Sequence, residues 1–359
     1  MKAWGWVLLI MSALLIKLAS FFPNWIENNY TYGIYPAISK LQRILFGWIP
    51  FSIGDLLYGL VVMIALMKAR NFIRSLRRKR INRKYVIIII KKLVFIILFV
   101  YFLFYSLWGL NYNRRGIAFQ LGLKIEMYTR EDLDTITTIL QERLNFFASQ
   151  IDSLERETLF SKKNLFEKSI MAYRQVANQY SFLQYSASSL KPSLYSSLGQ
   201  YFGFTGYYNP FSGEAQVNTT VPVFLQPFIV THEMAHQLGY GKENEANFVG
   251  FLACRFFEDV DFRYSVYYDL YRYAFYEVVK FGDTTLNKKF IENLHPQVKK
   301  DNLELWRYFM RTKNFVEPVI SRFYDQYLRF NNQPKGKETY NEVVAWLIAY
   351  RKKFGEESL

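Results

Sequence analysis

Cysteine and histidine are scarce in this chain, and acid is nearly missing from its first third. The 359 residues hold one cysteine, Cys254, and three histidines, His232, His236 and His295. One thiol cannot close an internal disulfide, and it leaves no Cys-based zinc or iron–sulfur cluster. Imidazole chemistry, if there is any, must use those three positions. Residues 1–107 contain only two acids, Glu27 and Asp55, and the chain has neither an internal repeat nor a low-complexity linker. With 51% hydrophobic and 19% aromatic residues, a collagenous or disordered chain is excluded.

What is present is a formal net charge of +15, and it is unevenly placed. Residues 1–107 carry 15 Lys and Arg and a net +13, whereas residues 108–359 carry only +2. A basic protein suggests nucleic acid first. Here the charge instead sits between apolar runs whose lengths approach the ~20 residues a helix needs to cross a ~30 Å hydrocarbon core. Three spans are predicted, at about 3–22, 51–67 and 85–108. The connection 68–84 holds Lys68, Arg70, Arg74, Arg77, Arg78, Lys79, Arg80, Arg83 and Lys84 with no acid, which makes it a cytoplasmic loop by the positive-inside rule. A nucleic-acid arm is the weaker reading of this run. The N-terminus is then cytoplasmic, and everything after Trp108 lies on the other side. The first run lacks a small-x-small cleavage site before Pro23, which favours an uncleaved anchor over a signal peptide. Between spans one and two, Ile38, Leu41, Ile44 and Leu45 recur at helical spacing opposite Lys40, Gln42 and Arg43, predicting an interfacial helix over about 36–48.

The remaining residues, 109–359, read as a mainly helical domain with a small β element. Thr129 and Ser161 open amphipathic helices, and helical periodicity recurs over about 225–238, 242–257, 264–280 and three C-terminal stretches. Residues 181–222 are rich in Ser, Gly, Tyr and Pro, and Gly213-Glu214-Ala215-Gln216-Val217-Asn218 reads as a short strand after a turn.

Two of the three histidines lie in Thr231-His232-Glu233-Met234-Ala235-His236. Histidines at i and i+4 project from one helix face at a separation that suits one Zn2+ ion, with Glu233 between them placed to act as general base. The flanks include Asn218, Gln226, Gln237, Lys242 and Glu243, too polar for a helix inside the bilayer. A zinc site needs a third protein ligand, and the following helix offers Glu243 and Glu245, about 160° apart around its axis. Cys254 sits among Phe251, Leu252 and Phe256 and reads as core packing.

The run from His232 to Phe248 resembles the gluzincin-type zinc metallopeptidases, whose second motif places its first Glu on the metal and its last residue behind a histidine. The resemblance makes Glu243 the third ligand and Asn247 the supporting residue, with Glu245 the alternative ligand. Asn247 stands where many of these enzymes have Asp. The metzincin pattern fits less well, since Lys242 occupies the position of that clan's third histidine. The resemblance also implies that residues 213–218 form the edge strand on which a substrate peptide pairs. Tyr264, His295, Tyr208 and Arg322 are candidate oxyanion donors.

Over nearly its whole length the chain resembles an uncharacterised bacterial family of membrane-anchored proteins, DUF3810. The shared segments are Gly47-Trp48-Ile49-Pro50-Phe51-Ser52-Ile53-Gly54-Asp55, Trp108-Gly109-Leu110-Asn111-Tyr112, Asn209-Pro210-Phe211-Ser212-Gly213-Glu214-Ala215, the histidine helix and Glu243–Phe248. That family brings an architecture but no activity. The combined expectation is a three-helix transmembrane anchor (1–108) plus a zincin-like extracytoplasmic domain (109–359) in a bacterial inner membrane. Its function would be hydrolysis of a peptide or protein substrate in the cell envelope, with no nucleic-acid partner. The competing expectation is a non-enzymatic membrane protein with a structural metal site or an envelope-partner role. A permease is disfavoured, because three spans offer no evident translocation path.

Overall fold

Side-chain oxygens open the helices where the sequence places them. In the computed structural model, which describes residues 3–359, Ser52 accepts from the N–H of Asp55, Asn82 from Tyr85, Thr129 from Asp132 and Ser161 from Asn164. Each bond satisfies a donor that has no partner inside its own helix.

Helix α1 (Ala3–Ala19) is followed by a bend of 100° into a second rod that runs to Gly47. This rod is wound as a π-helix over Ile26–Ile34 and continues as α2 (Tyr35–Gly47). Two 25-residue helices follow, α3 (Ile53–Arg77) and α4 (Arg83–Leu107). Both are long and apolar enough to cross a membrane, and the bent α1 pair is a third candidate, so the chain is a membrane protein.

The predicted boundaries shift in two places. The first run ends at Ala19 rather than 22, where the chain bends. The basic segment 68–84 is not a loop: α3 continues to Arg77, α4 begins at Arg83, and only Arg78–Asn82 turn. No Gly or Pro occurs between Gly59 and Gly109, and Lys, Arg and Leu are good helix formers, so nothing stops the helix at the edge of its apolar run. The expected interfacial helix is α2. Its polar Ser39, Gln42 and Arg43 are buried against the domain while Leu41, Ile44 and Leu45 are exposed.

The domain is built from α5 (Arg130–Ala148), α6 (Lys162–Gln179), strands β1 (Leu190–Pro192), β2 (Gly206–Asn209) and β3 (Glu214–Val217), then α7 (Gln226–Gln237), α8 (Glu243–Phe256) and α9 (Val260–Lys280). Helices α10 (Pro296–Thr312), α11 (Glu317–Phe330) and α12 (Val343–Phe354) follow, and shorter helices such as Ser196–Phe202 and Thr284–Glu292 lie between these elements. The sheet order is β1-β3-β2, with β3 parallel to β1 and antiparallel to β2. This corrects the expected role of residues 213–218. Gly213, at φ +68°, closes a tight hairpin that pairs β3 with β2, and β1 takes its other side. A strand paired on both sides has no backbone groups left for a substrate. Helix α7 lies at the centre, packed by α6, α8, α9 and the sheet, and all twelve of its residues are buried.

No linker separates the membrane segments from the domain. Ile16, Ile26, Tyr30, Tyr35, Tyr105, Trp108, Leu110 and Tyr112 form a second apolar cluster at the joint. Beside it, Glu27 and Arg114 pair at 2.9 Å, each side chain 2% exposed. The Glu214 carboxylate accepts from the backbone N–H groups of Ile53 (3.0 Å) and Gly54 (2.6 Å) and from the hydroxyls of Ser52 and Ser212. A carboxylate at the first turn of α3 satisfies that helix's free donors and favours its dipole. The segments Gly47–Asp55 and Asn209–Ala215, far apart in sequence, are therefore two halves of one contact.

Candidate metal centre

Helix α7 starts with Pro227 in its first turn and ends at Gln237, two residues before Gly239, whose φ of +86° a side chain would strain. The chain turns there and enters α8 with Glu243 in its first turn. This short connection folds α8 back along α7 and aims Glu243 at both histidines. One Glu243 oxygen, Oε2, lies 3.1 Å from His232 Nε2 and 3.5 Å from His236 Nε2. One donor atom from each of the three side chains falls within 4.8 Å of the others, and all three residues are buried.

The other nitrogen of each ring is occupied. His232 Nδ1 lies 2.8 Å from Asn247 Oδ1, and His236 Nδ1 lies 2.7 Å from the Tyr240 carbonyl. An acceptor at Nδ1 places the ring proton there and leaves the Nε2 lone pair facing inward. The other Glu243 oxygen, Oε1, accepts from the Tyr324 hydroxyl at 2.9 Å, and that hydroxyl meets Tyr340 at 3.1 Å. From the far side, the C-terminal carbonyls of α7 are held by the joint: Trp108 Nε1 donates to the His236 carbonyl at 2.9 Å, and the hydroxyls of Tyr35 and Ser39 donate to that of Gln237.

Charge in the cluster is distributed unequally. Burial would raise the Glu243 carboxyl, but the two histidines outweigh it and hold it well below the usual carboxylate range. Burial pulls His236 down, and the Glu243 and Glu233 carboxylates together lift it to about 9. Glu233 is pushed up to about 7, chiefly by burial. Its Oε2 has no hydrogen-bond partner. Two inward imidazole nitrogens and a carboxylate held ionised form a group that could hold a metal ion, with an orphaned buried carboxylate beside it.

Glu245, the alternative third ligand, points elsewhere. Its carboxylate packs against Gly116 and lies 3.8 Å from Lys242. Three of the four expected oxyanion donors also lie elsewhere. Tyr264 is core, donating to Asp301 at 2.5 Å, and His295 caps α10 by accepting from the Gln297 N–H. Arg322 is exposed on α11 outside the cavity. Tyr208 does line the cavity, its hydroxyl buried without a partner. The edge strand beside the histidines is β2, not β3. Gly206 lies so close to Glu233 that a Cβ there would stand 2.6 Å from its Oε1. Tyr324, Tyr340 and Gly206 were not legible as site residues, because each reaches α7 from a segment with no motif of its own.

The cluster opens into a cavity of about 890 Å³. A family described as Protein of unknown function (DUF3810) matches residues 30–348. The chain belongs to this family. The match takes in α2, the joint from Tyr30 onward and the His232–Glu243 cluster, and leaves out Ile16, Ile26 and Glu27 on the other side of the joint. Comparison with curated proteins and with solved structures gave no match.

Proposed function

We propose that this DUF3810 protein is a membrane-anchored, zinc-dependent peptidase of zincin type, with its N-terminus cytoplasmic and residues 109–359 on the extracytoplasmic side. The observation that carries the reading is the convergence of His232 Nε2, His236 Nε2 and the Glu243 carboxylate beside the unpartnered Glu233 carboxylate. The orientation rests on the acid-free basic turns at the α3–α4 tip, which also account for the +15 charge without a nucleic-acid partner.

In this reading His232, His236 and Glu243 hold one Zn2+ ion, with Asn247 fixing the His232 ring. When bound, zinc would polarise a substrate carbonyl and acidify a water molecule. Glu233, with a pKa raised to about 7, suits a base that takes a proton from water and returns it to the leaving amine. Water thus adds across one C–N bond, giving a carboxylate and an amine. Strand β2 pairs with β3 through Thr205 and Asn209, so the backbones of Gly206 and Tyr208 point to its free edge. An extended peptide can pair there. Tyr324, already donating to Glu243, has its hydroxyl at the donor cluster and takes the oxyanion role for which Tyr264, His295, Tyr208 and Arg322 were candidates.

The structural-site reading has less support. A closed structural zinc site has four protein ligands, and among the described residues this group has three. The test is metal analysis and peptide hydrolysis by the purified full chain beside a Glu233→Gln variant. One zinc per chain in both proteins, with hydrolysis lost only in the variant, is the expected result. A wild type without bound zinc, or a Glu233→Gln protein that still cuts peptides, overturns the reading.

A further inference from the structure

The cavity that contains the three donors does not end at the domain. Its wall continues down α4 through Tyr105, Phe104, Tyr101, Val100 and Ile97, with Tyr58 of α3 opposite. These α4 positions recur at three- and four-residue spacing, so they form one face of that helix. Ile97 stands ten residues inside the Leu107 end of α4, about 15 Å of helix. That is half the depth of a ~30 Å hydrocarbon core. Helix α1 packs along α4, whereas α3 makes no comparable packing with it, and Ile97 and Val100 are exposed.

The wall is rich in tyrosine, and several of its hydroxyls are engaged with one another or with the domain. Tyr105 donates to Asn331 at 2.9 Å, Tyr112 and Tyr327 meet at 3.1 Å, and Tyr207 bonds Asp55. A groove whose charged groups, the donor cluster with Glu317 and Lys337, all come from the domain, and whose α4 wall is apolar at Ile97, Val100 and Phe104, fits an amphiphile whose tail lies in the bilayer.

We propose that the site takes a peptide bearing a long alkyl chain, the chain lying along α4 and the scissile bond reaching the His232–Glu243 cluster. This rests on the peptidase reading above and names its substrate class. Two considerations favour an alkyl chain over a transmembrane segment. A helix is about 10–12 Å across with its side chains and would have to unwind to reach the donors. Once unwound, its backbone would leave N–H and C=O groups unpaired against α4, because a helix wall offers no free backbone partners, at several kcal/mol per group in hydrocarbon. Only β2, next to the donors, has such partners. An alkyl chain has no polar groups to satisfy.

The experiment uses the full chain, loaded with zinc, in lipid nanodiscs of phosphatidylethanolamine and phosphatidylglycerol. Three peptides are compared: one with an N-terminal palmitoyl group, the same peptide without it, and an unacylated transmembrane peptide carrying the same cleavage sequence. The palmitoyl peptide is expected to exceed the others in kcat/KM by at least about tenfold. Val100→Trp, which fills the groove from its lipid-exposed side, should remove that advantage. Equal rates for all three, an advantage that persists in Val100→Trp, or a transmembrane peptide cut as fast as the acylated one would each overturn the proposal. Binding is read separately. Cys254 is buried, so a Val100→Cys protein can be labelled with a fluorophore at position 100 alone, and a brominated palmitoyl peptide should quench it. Quenching without cleavage of any peptide sinks the peptidase and leaves the alkyl groove standing. Cleavage without quenching does the reverse.

Discussion

The joint and the α7–α8 cluster both bury carboxylates, and they treat them in opposite ways. At the joint, Glu27 meets Arg114 and the Arg115 N–H, and Glu214 accepts from two backbone donors and two hydroxyls. Every oxygen of these two carboxylates has a protein partner. In the α7–α8 cluster, three lone-pair donors face one another and Glu233 keeps an oxygen with no partner at all. Burial of a polar group is costly unless it is matched. A fully matched carboxylate holds segments together, and a set of converging donors could hold a cation, as the proposed function requires.

That contrast can be broken by mutations that should affect one region and not the other. The largest effect is expected for Glu233→Gln, a loss of about 10²–10⁴ in kcat with zinc content unchanged. At the joint, Glu27→Ala leaves Arg114 buried without its partner and should destabilise the protein by about 3–5 kcal/mol. Chemical denaturation of the purified protein would measure this, and the zinc stoichiometry of the fraction that stays folded should match wild type. Asn247→Leu removes the acceptor that orients His232 and should weaken zinc binding about 10–100-fold, read by competition with a chelating dye. A joint that alters zinc affinity as much as Asn247→Leu does would erase the distinction.

The pH dependence of the chelated protein sharpens the same point. The folded pKa of His236 is raised from its ordinary 6.5 to about 9. A raised group stabilises the fold fully below its unfolded pKa and loses that contribution as pH rises through the folded value. The chelated protein should therefore melt at progressively lower temperature between pH 6.5 and about 9, the interval over which zinc affinity should rise as the proton leaves the ring. The smallest effect is expected for Gly206→Ala. Its Cβ would stand 2.6 Å from Glu233 Oε1, displacing the base by a few tenths of an ångström and lowering kcat by about tenfold with little change in melting temperature.

Much of this was readable in the chain because it depends on neighbours in sequence. His232, Glu233 and His236 share a helix face by spacing alone, and the apolar runs of α3 and α4 declare themselves by length. The caps at Ser161 and Thr129 did the same for α6 and α5. What could not be read depends on how distant segments meet. Glu243 and Glu245 both begin α8, and only the direction from which α8 returns along α7 decides that Glu243 faces the histidines while Glu245 faces Gly116. The strand 213–218 has the alternating pattern of either an edge or a centre, and its place in the sheet was settled by β1, a three-residue strand too short to announce itself. His295 and Tyr264 were plausible donors by residue type, but their hydrogen bonds go to Gln297 and Asp301 and neither lines the cavity.

By itself, then, the sequence determined the membrane helices, the basic turns at their tip and a helix able to present two imidazoles and a carboxylate on one side. Those are properties of period and length, which a single segment carries alone. Tertiary structure decided which glutamate joins them, which strand keeps a free edge and that the cavity runs on down α4. Each of these is a relation between segments separated by tens to hundreds of residues, and it exists only once the joint has fixed the membrane helices against the domain.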